Sequence, residues 1–251
     1  MLRSLLLLSA GLLVSLRMAA AAAASPDAAT LGAELAISAP SADARVLGLA
    51  AHAYTCARKS GQAPDSHTLS LIDYSRPSTE PRLWVFDLDR KTVLFNEWVA
   101  HGRNSGDNVA THFSNAPGSL MSSIGAYVTA DTYIGHNGYS LRLRGLESGF
   151  NDNALERAIV MHGAPYVGTT SIHSQGRLGR SFGCPAVRPD IARQLIDTIR
   201  DGSFVFAYYP DRTWLQQSNL LGDCGTPAVA AESAVATNSG DVAGARARSG
   251  K

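Results

Sequence analysis

The chain has 251 residues, 45% of them hydrophobic and 17% charged, and a formal net charge of +1. Charges of both signs are scattered along it, which excludes the basic stripe of a nucleic-acid binder and the single-sign funnel that steers a strongly charged partner. A neutral product of this size suits a small polar or polymeric substrate.

A short basic start, Met1–Arg3, precedes an apolar run from Leu5 to Val14 and an alanine tract that ends at Ala24. This is the pattern of a secretory signal, with cleavage expected between Ala24 and Ser25. An uncleaved anchor is the competing reading, but the apolar run falls short of the roughly 20 residues that span a bilayer. Residues 1–24 are therefore expected to direct export to the periplasm or cell wall, with no stable membrane insertion after cleavage. Residues 25–66 form an N-terminal helical segment. Its first part, 25–40, is rich in small residues and expected to be partly ordered at best. A helix then opens at Ser41 as N-cap, with Val46, Leu49, Ala50, Ala53, Tyr54 and Ala57 at helical spacing and Gly61 at the left-handed C′ position.

From Leu69 the hydrophobic period changes to two. Leu69–Tyr74, Arg82–Leu88 and Thr92–Ala100 read as strands, the last two joined as a hairpin over Asp89-Arg90-Lys91. Gly125–Ala130, Ser140–Leu146, Ala158–His162 and Ser203–Tyr209 are further strands. Between the last two lies one helix, Pro189–Arg200, with Ile191, Leu195, Ile196 and Ile199 on one face and Gly202 as its stop. The fold class is mainly β (α+β), a sandwich or barrel-like core with a few peripheral helices. The core domain spans 67–224. Residues 225–251 hold no aromatic side chain and no sustained apolar period, so a disordered tail is expected there. The long loop His101–Ser123 is rich in Gly, Asn and Ser, and loops of that length are commonly functional.

Three cysteines, Cys56, Cys184 and Cys224, meet an oxidising compartment after export. An odd count leaves one thiol over. A Cys56–Cys224 disulfide clipping the two ends of the domain is expected, against the alternative of two separate buried thiols. Cys184 is then the free thiol. It stands in Gly179-Arg180-Ser181-Phe182-Gly183-Cys184-Pro185-Ala186, while an apolar strand delivers His162 ahead of Gly163.

Acyl transfer by a thiol needs a nucleophile, a base and donors for the oxyanion. Cys184 supplies the first and His162 the second, with the Gly163 carbonyl available to orient the imidazole. The N–H groups of Gly183 and Cys184 can supply the third. If His162 activates the thiol, alkylation of Cys184 should persist well below the ordinary thiol value of about 8.5. His101, His112, His136 and His173 lie in polar loops, but no His-x-His, His-Glu-x-x-His or carboxylate cluster supports a metal site. No metal and no cofactor is expected.

These segments resemble the catalytic core of the L,D-transpeptidases, the YkuD-type peptidoglycan enzymes. Those carry His-Gly and then Ser-x-Gly-Cys, here His162-Gly163 and Ser181-Phe182-Gly183-Cys184. Ser122–Tyr127 is similar to the family's Thr-Pro-x-Gly-x-Phe/Tyr strand. His101-Gly102, Phe113-Ser114-Asn115, Ser140-Leu141 and Asn151-Asp152 resemble a divergent murein L,D-transpeptidase branch. The resemblance covers roughly residues 67–210. Phe182 stands where the commoner pattern has His, and Ala186 where it has Arg or Asn, which leaves Arg180 or Arg188 to substitute.

The resemblance implies that Cys184 attacks the carbonyl at the L-centre of the third stem residue, expels the terminal D-alanine and passes the thioester to an amine, giving a 3→3 crosslink. Arg180, Ser181, Tyr127 and Tyr166 are expected to hold the peptidoglycan stem peptide, with the protein a monomer that needs no nucleic acid. An L,D-carboxypeptidase, with water as acceptor, and a non-catalytic wall-binding module are the alternatives.

Overall fold

The period-two segments pair into one mixed sheet, sandwiched between two apolar layers. The computed structural model describes residues 27–64 and 66–224; the expected signal, its cleavage site and the C-terminal tail lie outside them. Helices α1 (Ala28–Ser38) and α2 (Ala44–Lys59) are followed by strands β1 (Thr68–Asp73), β2 (Leu83–Asp87), β3 (Thr92–Glu97), β4 (Gly125–Gly135), β5 (Gly138–Gly145) and β6 (Val160–Gly163). Then come α3 (Thr169–Gln175), β7 (Ala186–Val187), α4 (Pro189–Ile199), β8 (Phe204–Tyr208) and α5 (Arg212–Gln217). The strand order is β3-β2-β1-β8-β4-β5-β6-β7. Pairing is parallel for β1 with β8 and for β6 with β7, and antiparallel elsewhere. Beyond β3 the chain runs on to Ala100, whose N–H donates to the Ala186 carbonyl at 2.8 Å. That bridge joins the two ends of the strand order and gives the core its barrel-like character.

Alternation along the strands explains the two layers. Leu69, Leu71, Trp84, Phe86, Phe204 and Phe206 pack with α1, α2 and Trp214. Ile72, Leu83, Val85, Tyr127, Leu141 and Val205 pack on the other side with Leu195, Ile196 and Ile199 of α4. Both faces are covered, so β1, β2 and β8 are buried throughout.

Three local expectations need correction. Residues 28–38 form a helix, capped by Asp27, whose carboxylate accepts the Thr30 N–H. It is held by packing: a Cβ on Gly32 would lie 3.0 Å from the Gly48 Cα, so the two helices cross in close contact there. The α2 cap is Asp43 rather than Ser41, its side chain accepting from the Arg45 and Val46 N–H groups. The β4–β5 hairpin extends past the expected strand, turning over His136-Asn137 with Gly138 at φ +73°. No described helix is long and apolar enough to cross a membrane.

Candidate active site

Strand β6 ends in His162-Gly163 and lies parallel to β7, with His162 opposite Ala186. The loop entering β7 therefore brings Cys184 beside Val160, whose N–H points at the sulfur at 3.5 Å. The thiol's other hydrogen-bonding neighbour is the Ala158 carbonyl at 3.7 Å. Ala158 holds a left-handed φ of +52°, a conformation costly for a residue with a Cβ, directly beside the nucleophile candidate. Cys184 is a free thiol and only 9% exposed.

His162 is buried, with Nδ1 3.0 Å from the Gly163 carbonyl. A carbonyl can only accept, so Nδ1 carries the proton and Nε2 is left as the basic nitrogen. Gly163 tolerates no side chain here, because a Cβ would meet that of Ala192 at 2.9 Å.

Burial pushes the Cys184 thiol above its ordinary value, with the Val160 N–H and the Arg157 guanidinium pulling less strongly the other way. Burial likewise lowers His162, against the Gly163 carbonyl. The resting pair is thus a neutral thiol and a neutral imidazole. Both directions run against the expectation of a thiolate persisting at low pH. The thiol bonds to Val160 and Ala158, and neither bond goes to the imidazole; catalytic hydrogen bonds often form only once substrate is bound.

The loop around Cys184 is knitted by its own side chains. Ser181 Oγ donates to the Cys184 carbonyl at 2.6 Å and accepts the Gly183 N–H at 3.1 Å. Ser181 is therefore a buried brace rather than a group facing the stem. The Gly183 N–H is engaged as well, leaving the Cys184 N–H as the one without an acceptor among the described residues. Gly183 itself is required: φ is +126°, and a Cβ would lie 2.8 Å from the Met121 carbonyl.

Arg180 is committed too. Its guanidinium donates to the Gly106 carbonyl at 2.8 Å and to Asp107 Oδ1 at 2.9 Å, clamping the 103–107 turn. Arg188 makes two 2.9 Å bonds to Glu97 and one of 2.7 Å to Asp190. Neither is free to replace the missing polar groups at positions 182 and 186. Tyr127 is buried in the core, its hydroxyl donating to the Ser123 carbonyl. Tyr166 is half-buried near Cys184. Burial, and then the nearby Cys184, push its hydroxyl up to about 12.

The 101–123 loop packs onto this frame. Ser122 Oγ donates to the Gly183 carbonyl and accepts the Gly102 N–H, both at 3.0 Å. His101 is buried over Arg82, which donates to its Nδ1 at 2.8 Å; burial and that cation push His101 down to about 4, so it is a neutral structural group. Arg157 was not legible as a site residue. Its guanidinium bonds the Ser114 and Met121 carbonyls and the Ser119 and Ser123 hydroxyls, and it is the cation that acts on the thiol. It stands in a turn with no motif around it. Asn151 and Glu147 serve the start of β4: Asn151 Nδ2 donates to the Ile124 and Ala126 carbonyls, and Glu147 accepts the Ala126 N–H.

Cys56 and Cys224 are joined in a disulfide, as their odd-count reading expects, with Cα atoms 4.9 Å apart. His52 lies against them and forms with them the cluster whose ligand atoms fall within 4.8 Å of one another. The sulfurs are bonded to each other there and offer no thiolate.

The mainly β domain thus carries a free thiol on the loop entering β7 and an oriented imidazole at the end of β6. The family model of the L,D-transpeptidase catalytic domain matches residues 38–208, and the chain belongs to that family. The match begins at the end of α1 and so includes α2. No curated protein matches the chain.

Among solved structures, an L,D-transpeptidase from Mycobacterium smegmatis is 15% identical over 57% of this chain and 59% of its own, with a TM-score of 0.36. One from Mycobacterium tuberculosis H37Rv is 13% identical over 57% and 58%, TM-score 0.34. One from Stackebrandtia nassauensis is 14% identical over 73% and 78%, TM-score 0.35. The chain thus spans 59% of the length of the M. smegmatis protein.

Proposed function

We propose that this protein is an exported, cysteine-dependent peptidoglycan L,D-transpeptidase. The observation that carries the reading is the free thiol of Cys184 on a glycine-shaped loop entering β7, the strand paired with the end of β6, where His162 has Nε2 left basic by the Gly163 carbonyl. His162 Nε2 takes the thiol proton as Sγ attacks the carbonyl at the L-centre of the third residue of a tetrapeptide stem. The Cys184 N–H donates to the oxyanion. Collapse breaks the peptide bond, and the imidazolium returns its proton to the departing D-alanine amine. The thioester is then attacked by an amine of a second stem, with His162 as base, and the thiol is regenerated. Starting from neutral partners suits this sequence, because charge separates only when the acyl donor displaces water from the buried thiol. Tyr166 borders the cleft and is the aromatic wall for the stem. The active form is a monomer in the periplasm or cell wall.

The test is product analysis after incubation of the protein with tetrapeptide-bearing wall fragments. Dimers joined 3→3, with release of D-alanine and none with Cys184→Ala, are expected. Tripeptides alone would reassign the acceptor to water, and unchanged stems would sink the enzymatic reading.

A further inference from the structure

An acyl donor of this kind carries free carboxylates, and three arginines around the Cys184 loop are engaged within the protein. Arg180 clamps the 103–107 turn, Arg188 is paired with Glu97 and Asp190, and Arg157 is saturated by the 114–123 loop. Arg103 differs. It is exposed, and no carboxylate or carbonyl among the described residues pairs with its guanidinium. Its contact is the ring of Phe182, 5.9 Å from Cζ to the ring centroid.

Phe182 is 68% exposed and stands two residues before Cys184. A single exposed apolar side chain needs no explanation by itself. This one is held against an unpaired cation on the same frame as the nucleophile. The Arg103 N–H donates to the Ser181 carbonyl at 2.8 Å, and the Ser181 N–H to the His101 carbonyl at 3.0 Å. The Ser181 hydroxyl reaches the Cys184 carbonyl. The backbone segments that carry Arg103, Phe182 and Cys184 are thereby tied to one another.

We propose that Arg103 and Phe182 form the platform that recognises the acyl donor: a free carboxylate of the stem pairs with the Arg103 guanidinium while an aliphatic part of the stem covers the Phe182 ring. The guanidinium lies over the ring at 5.9 Å, and its N–H fork has no partner among the described residues to compete with a carboxylate. The ring in turn offers a large, stiff apolar surface to a methylene chain or methyl group. The platform stands at the position where the resemblance expects His, so it would give this chain its own donor preference. The proposal rests on the reading of Cys184 as the nucleophile for such a stem.

The test is calorimetric titration of the Cys184→Ala protein, which cannot turn over, with a tetrapeptide stem and with the same stem fully amidated at its carboxylates. Adding Arg103→Gln should weaken binding of the free acid about fivefold, the scale of an exposed ion pair, and leave the amidated stem unaffected. Adding Phe182→Ala should weaken both stems about tenfold. Both side chains are exposed, so denaturant midpoints should match the parent. Stem binding indifferent to both substitutions would overturn the platform alone. No binding of either stem by the Cys184→Ala parent would overturn the platform together with the proposed function.

Discussion

The disulfide at Cys56–Cys224 and the free thiol at Cys184 relate to their histidines in opposite ways. His52 Nε2 approaches Cys56 Sγ at 3.4 Å and Cys224 Sγ at 3.9 Å, while His162 makes no hydrogen bond to Cys184 at all. Proximity alone would choose the first pair. At the first place the sulfurs are bonded to each other and tie α2 to residue 224, the last described residue. At the second the thiol is free, its backbone N–H has no acceptor among the described residues, and the imidazole has a defined basic nitrogen. What separates Cys184 from the other two cysteines is the valence left on sulfur and the backbone around it.

The largest expected effect separates the two places by stability. Replacing both Cys56 and Cys224 by serine removes a cross-link between residues 168 apart in sequence and should cost about 4 kcal/mol, because the unfolded chain regains its loop entropy. Denaturant midpoints measure this. The alkylation rate of Cys184 in the folded state should not change, and a parallel loss of reactivity would show that clasp and cleft are one unit.

A smaller effect concerns charge. Burial holds Cys184 as the thiol, so its alkylation by iodoacetamide should rise with pH through a midpoint above the ordinary value of about 8.5. Arg157→Gln removes the cation that favours the thiolate and should move that midpoint higher still, with Arg157→Lys returning it toward wild type. A wild-type midpoint near neutrality would instead indicate a resting thiolate–imidazolium pair and break the contrast.

Most of the core was legible because long strands covered on their faces leave a strong hydrophobic pattern, as in Leu83–Asp87 and Phe204–Tyr208. Helix α1 was not, since its residues are small and its stability comes from close contact with α2 at Gly32 and Gly48. Strand β7 has two residues and no period to read. At the candidate site, the free thiol of Cys184 and the Gly163 carbonyl against His162 match what the spacing suggested, because glycine beside each marks a constrained backbone. Ser181 and Arg180 were assigned to substrate because polarity shows in a sequence and direction does not: both turn inward to brace the loop. Arg157 acts through tertiary placement, which no local pattern announces.

The most direct test of the central claim is intact mass of the protein after mixing with a tetrapeptide stem. The account predicts that the wild type gains one acyl tripeptide on Cys184, that Cys184→Ala gains none, and that His162→Ala acquires it at least about 100-fold more slowly. An unmodified wild type, or an equal adduct on Cys184→Ala, would contradict the assignment of Cys184 as the nucleophile.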